Sequence, residues 1–289
     1  MPIYAPTLPP RPEVSQGLPP ALVIARFDLR RVLKQRIGRF FGFMFVGSLL
    51  VQLGILYVRF LIQHQRGFEG IRDFAKEILT QGPEFHAGLL TMNGWLTTLL
   101  WFQVALVGGG LIARDTLYRI RPLMYAHPVR PRDYLAAKGL FGVGLPFFIL
   151  LPFALLPWAM SLLIAGVNGP VSPYAPLYLV PAALCMALVM GAVTLGASSL
   201  ASSPRAGFGW VLGIYLSTNA IGGILSAALK QDFWMAMSPQ ALVQAWPALL
   251  SGVPNPILGW AATLVGTALH VTLWILVAAR RSRPSEAVL

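Results

Sequence analysis

Few side chains in this sequence have the type and spacing to do covalent chemistry. Ser198 and Ser199 lie in Gly196-Ala197-Ser198-Ser199 with no local base, and a serine nucleophile needs one within reach. His64 and His86 could share a metal, but two histidines without a third ligand make a poor site. The lone Cys185 allows no internal disulfide and no thiolate cluster. His270 sits within an apolar run, where it reads as a neutral imidazole hydrogen-bonded between helices, or else as a substrate or proton contact. No GxxxxGK[ST] stretch occurs to cradle nucleotide phosphates, and no HExxH is present. All 10 Asp and Glu residues fall outside the apolar runs, which predicts no buried carboxylate for a proton relay.

These sparse groups must be positioned by apolar elements. Hydrophobic residues make up 56% of the 289 residues and charged ones 11%, far below the quarter or so typical of a soluble domain. Spanning the hydrocarbon core takes about 20 apolar residues as helix. Six runs meet that length, at about 40–62, 89–112, 139–164, 177–200, 208–229 and 257–279. The sequence therefore predicts an all-α membrane protein whose transmembrane domain covers 40–279. Residues 1–20 read as a flexible Pro-rich cytoplasmic tail without a signal peptide, and 280–289 as a second cytoplasmic tail.

Net charge is +12, but the basic residues flank the apolar runs as orientation signals do, which argues against nucleic acid as a partner. With the N-terminus in the cytoplasm, 17 of the 22 Lys and Arg residues fall inside and five outside. That asymmetry predicts a multi-pass protein with both termini cytoplasmic, and the expected location is the cell inner (plasma) membrane. In residues 21–39, Leu22, Leu29, Leu33 and Ile37 share a stripe, with Asp28, Arg31 and Gln35 opposite. This predicts an amphipathic helix lying along membrane lipid, or alternatively a cytoplasmic extension of the first span. In 63–88, Phe68, Ile71, Phe74, Ala75 and Ile78 recur at helical spacing, which suggests a short outer helix; residues 230–256 suit a re-entrant segment. Gly38xxxGly42 and Gly209xxxGly213 would let helices approach closely, either within one chain or at a dimer contact.

Between the second and third runs lies Ile112 to Lys138, IARDTLYRIRPLMYAHPVRPRDYLAAK. It carries Arg114, Arg119, Arg121, Arg130, Arg132 and Lys138 together with Asp115 and Asp133. Such a segment does not belong in hydrocarbon, and Pro122, Pro128 and Pro131 prevent one straight helix. It reads as short helical pieces at the membrane surface, either a docking segment or a solvated loop. Asp133 is placed to favour the start of the third helix, which leaves Arg130 and Arg132 outward.

Within this stretch, Asp115 follows the second run, and Pro128-Val129-Arg130-Pro131-Arg132-Asp133-Tyr134-Leu135-Ala136-Ala137-Lys138 leads into the third. The Pro, Val, Asp, Tyr, Ala and Lys of that stretch resemble the pattern of ABC-2 type permeases, the membrane subunits of ABC exporters. Arg130 stands where the family has a hydroxyl residue, and Pro131 where it has Arg. The resemblance extends over nearly the whole chain: interfacial helix, six spans and a long inside loop. It implies a non-catalytic subunit that needs no cofactor of its own. ATP would be bound by a separate ATPase subunit, and a second permease subunit would complete the transporter as a homodimer or heterodimer. The ATPase-coupling segment would comprise Asp115, Tyr125, His127, Pro128, Val129, Arg130, Arg132, Asp133, Tyr134 and Lys138. The competing class is a membrane-embedded enzyme or carrier working without an ATPase. It would need polar constellations at mid-membrane depth, where the sequence offers His270 and scattered hydroxyls.

Overall fold

In hydrocarbon every backbone N–H and C=O must find its partner within the protein, and a helix does this within a single segment. The computed structural model of the chain follows that rule; it describes residues 19–64, 88, 90, 95–120, 130–165, 172–253, 255 and 258–282. Helix accounts for 88% of it and no strand is present among the described residues, so the class is all-α. Six helices are long and apolar enough to cross a membrane. In chain order the elements are α1 (Pro20–Lys34), α2 (Arg36–His64), α3 (Trp95–Gly108), α4 (Ala113–Leu117), α5 (Pro131–Ala165), α6 (Pro176–Leu200), α7 (Pro204–Leu229), a 3-10 turn (Asp232–Met237), α8 (Pro239–Leu250) and α9 (Trp260–Arg281).

Several of these helices begin on proline, where the missing N–H costs nothing and the fixed φ suits the first turn. Ser203 and Ser238 cap α7 and α8, each hydroxyl accepting from a backbone N–H three residues on, at 3.3 Å in both cases. The α7 helix ends on Lys230 in the left-handed conformation (φ 52°), whose N–H bonds the Ser226 carbonyl.

Burial divides the spans. The apolar windows of α3–α4 and α6 are 78% and 72% buried, whereas those of α2, α5, α7 and α9 are 28% or less. Two helices thus form the interior and four surround them. Leu96, Leu100 and Trp101 of α3 pack with Leu179, Met186 and Met190 of α6 in the main core. Small residues set the closest approaches. A Cβ on Gly191 of α6 would lie 2.7 Å from the Val143 side chain and 2.9 Å from the Gly142 backbone of α5. One on Gly196 would lie 2.5 Å from Trp274 of α9. A Cβ on Gly207 of α7 would collide with the Gly109 carbonyl.

The 230–256 region forms the 3-10 turn and α8. At 12 residues, α8 extends only about 18 Å, too short to span, yet nine of its residues are buried. The expected helix over 63–88 lies outside the described residues except at its ends, and the two tails lie outside them almost entirely.

The stripe of Leu22, Leu29 and Leu33 on α1, with Ile37 at the start of α2, faces away from the protein, at 42%, 39%, 61% and 51% exposure, while Asp28 from the opposite face is 1% exposed. The helix packs that face, with Val32, against α5. The physical reason is a buried cation on α5, met below.

Candidate functional site

The second span breaks after Gly108. Residues 109–112 form a turn before the single helical turn of α4 carries Asp115. Broken helix ends leave backbone groups without partners, and here one side chain from α6 takes up three of them. Ser198 Oγ accepts from the N–H of Ile112 (2.8 Å) and of Ala113 (3.2 Å), and donates to the Gly109 carbonyl (2.9 Å). Its hydroxyl is fully engaged in holding the break, which leaves no proton or lone pair for nucleophilic chemistry. Gly109 can form this turn against α7 because neither it nor Gly207 has a side chain.

Beyond the break, Asp115 meets α5. Lys138 Nζ lies 2.9 Å from Asp115 Oδ2 and 2.7 Å from Asp28 Oδ2. The Tyr134 hydroxyl donates to the same Asp115 oxygen (2.9 Å), and the Lys138 ammonium stands 5.5 Å from the Tyr134 ring centroid. Arg31, one turn after Asp28 on α1, brings Nη1 within 3.5 Å of Asp28 Oδ1. The side chains of Lys138, Asp28 and Asp115 are 3%, 2% and 7% exposed. Two carboxylates and two cations make the group formally neutral.

Desolvating such charges costs several kcal/mol per ion, recovered only where geometry is good and the remaining hydrogen-bonding capacity is used. Each carboxylate has two partners and Lys138 spans both, while Arg31 Nε is buried without a hydrogen-bond partner among the described residues. The sequence expectation of no buried carboxylate is therefore corrected. Asp115 lies just past the second apolar run and Asp28 within the amphipathic segment before the first; protein surrounds both and a cation neutralises them. The arrangement ties α1, α4 and α5 at one point.

Of the residues singled out from sequence, Asp115, Tyr134 and Lys138 come together. Asp133 does not join them. Its Oδ2 accepts from the Arg130 N–H (3.4 Å), half of a capping box at the start of α5. Arg130 and Arg132 are exposed. Tyr125, His127, Pro128 and Val129 lie outside the described residues. Gly38 is buried at the bend between α1 and α2, where a Cβ would collide with the Val32 carbonyl. Gly42, Gly209 and Gly213 are exposed, and a Cβ on any of them would meet nothing within 4 Å. His270 Nε2 lies 3.1 Å from the Met237 carbonyl, and since a carbonyl only accepts, Nε2 carries the proton. His86 and the His64 side chain lie outside the described residues.

Sequence reasoning missed Asp28, Arg31 and Ser198 as site residues. Asp28 is the one acid among the basic residues of 26–39, an anomaly that could have marked it. Ser198 gave no signal beyond its place in a small-residue run. Compared with known proteins, the chain matches no family model and no curated protein.

Proposed function

We propose that the chain is the permease subunit of an ATP-driven exporter of the ABC-2 type, coupled to a separate ATPase subunit through the segment between the second and third spans. One observation carries this reading. Asp115, Tyr134 and Lys138, three of the residues on which the resemblance rests, converge in one buried cluster although up to 23 positions separate them in sequence. A transmitting segment needs rigid attachment to the helices it moves, and a neutral, hydrogen-bonded ionic knot supplies that stiffness. Arg130 and Arg132 stand exposed at the start of α5, free to meet an acidic partner surface. Both termini would lie in the cytoplasm, as the charge asymmetry favours.

The test is to co-purify the chain from its native membrane and compare Arg130→Glu/Arg132→Glu with the wild type. Reversing charges at a docked interface replaces attraction by repulsion, which can cost several kcal/mol. The double variant should insert normally and lose the ATPase subunit or its stimulated turnover. Wild-type partner retention and transport would show these arginines to be solvated, and ATP hydrolysis by the isolated chain would overturn the permease reading.

A further inference from the structure

At the other end of α3, about 20 Å along the helix axis from the Asp115 end, lies a pocket of about 490 Å³ between α3, α7, the 3-10 turn and α8. Its volume falls in the range of small-molecule sites, about 300–1,000 Å³. Trp95, Thr98, Tyr215, Asn219, Gln240 and Gln244 line it, and no charged side chain does so among the described residues. In a bundle this apolar, five side chains with hydroxyl or amide groups converge on one open pocket, with Thr98, Asn219 and Gln244 only partly buried.

Internal bonding accounts for only part of them. Gln240, 6% exposed, donates from Nε2 to Thr97 Oγ1 (2.9 Å), and Asn219 Oδ1 accepts from Ser238 (3.1 Å). These two bonds fix one wall. The contact between the Thr98 and Tyr215 hydroxyls is long, 3.5 Å. The Asn219 amide nitrogen and the whole Gln244 amide take no protein partner among the described residues. The pocket thus offers several donors and acceptors on a fixed wall. The Trp95 ring, 57% exposed, adds an apolar face, and the Tyr215 ring is held 5.4 Å from Trp101 by centroid distance.

We infer that this pocket binds an uncharged ligand with several hydroxyl groups on one side and an apolar face on the other, of the kind presented by a single sugar ring. Amides and hydroxyls both donate and accept, which matches hydroxyl groups and gives nothing to neutralise an ion. A charged ligand would lose its hydration without gaining a counter-charge. The apolar face would lie on Trp95. The inference rests on the pocket alone and does not depend on an ATPase. The same chemistry is offered by a free sugar and by a glycosylated lipid headgroup.

The test uses the full chain in lipid nanodiscs and saturation-transfer NMR. Four probes separate the possibilities: methyl β-glucoside, octyl β-glucoside below its micellar concentration, glucuronate and glucosamine. At least one neutral probe should bind, with both charged sugars at least tenfold weaker. Binding of methyl β-glucoside assigns a soluble ligand; binding of the octyl glycoside alone assigns a membrane-borne headgroup. Asn219→Leu/Gln244→Leu, with unfolding temperature as the control for folding, should lose at least tenfold in affinity. Gln244→Glu should weaken the neutral probe and strengthen glucosamine, and it decides the matter if the double variant does not fold. No binding of either neutral probe, equal binding of the charged sugars, or an unchanged profile in a folded variant would each overturn the inference.

Discussion

Lys138 and Asp28 stand 110 residues apart in the chain and 2.7 Å apart in the fold, both side chains at 3% exposure or less. This contact fastens α1 to the third span and explains why the polar face of α1 turns inward. It also makes Lys138 the one group that compensates two buried carboxylates at once. Removing it should be far worse than removing all three charges together. Lys138→Met is expected to destabilise by about 3–5 kcal/mol, the usual cost of stranding a buried charge. Adding Asp28→Asn and Asp115→Asn to it should restore most of the loss. Unfolding of the single and triple variants in the same detergent measures both. A triple variant no more stable than Lys138→Met would show that the knot is not held by charge.

The Asp115 and Asp133 carboxylates should separate by context. Asp133→Asn removes a long contact at a helix start, where such a charge contributes about 0.3–1 kcal/mol. Asp115→Asn leaves Lys138 with one anionic partner and weakens the bond from Tyr134, so its effect should be several times larger. Equal effects, read from the same unfolding transitions, would contradict the burial argument.

Ser198→Ala strands the N–H groups of Ile112 and Ala113 at a buried turn. An unsatisfied buried donor costs about 1–3 kcal/mol. Amide exchange at Ile112 and Ala113 should accelerate in the variant while amides in the middle of α6 stay protected. Uniform acceleration would mean that Ser198 supports the whole bundle and not the break.

Two glycines on one helix give opposite expectations. Gly207→Ala forces α7 away from Gly109 and should cost about 1–3 kcal/mol, as overpacking does. Gly213→Ala enters open space and should be neutral or stabilising by up to about 1 kcal/mol through helix propensity. Gly213→Ile then tests a dimer contact without disturbing the monomer: weakened self-association with an unchanged unfolding temperature supports one, and unchanged association removes it.

Orientation is open to a direct measurement. Arg132 and Gln231 are both exposed and lie at opposite ends of the bundle by chain order. In a Cys185→Ala background, cysteines at these positions should react with an impermeant reagent from opposite sides, Arg132 from the cytoplasmic one. Labelling of both from one side would contradict the six-span topology.

What the sequence determined by itself is the set of spans, because hydrocarbon thickness imposes a minimum apolar length and backbone bonding then imposes a helix. Asp133 at the start of α5 was legible for the same local reason, since a capping residue acts within its own turn. The ends of the helices were less so: α5 starts at Pro131 and α4 carries the second span on to Leu117, because buried partners hold charged residues that hydropathy alone assigns to a loop. The roles of Asp28 and Ser198 were decided only in three dimensions. A periodic pattern shows that Asp28 lies opposite a leucine stripe, but not whether water or Lys138 awaits it. Likewise, Gly191, Gly207 and Gly213 look alike in sequence, and only the packing of α6 on α5 and of α7 on the turn at Gly109 shows which of them touch a neighbouring backbone. The polar pocket was invisible for the same reason, since Trp95, Tyr215 and Gln244 come from three separate helices that meet only when the bundle closes.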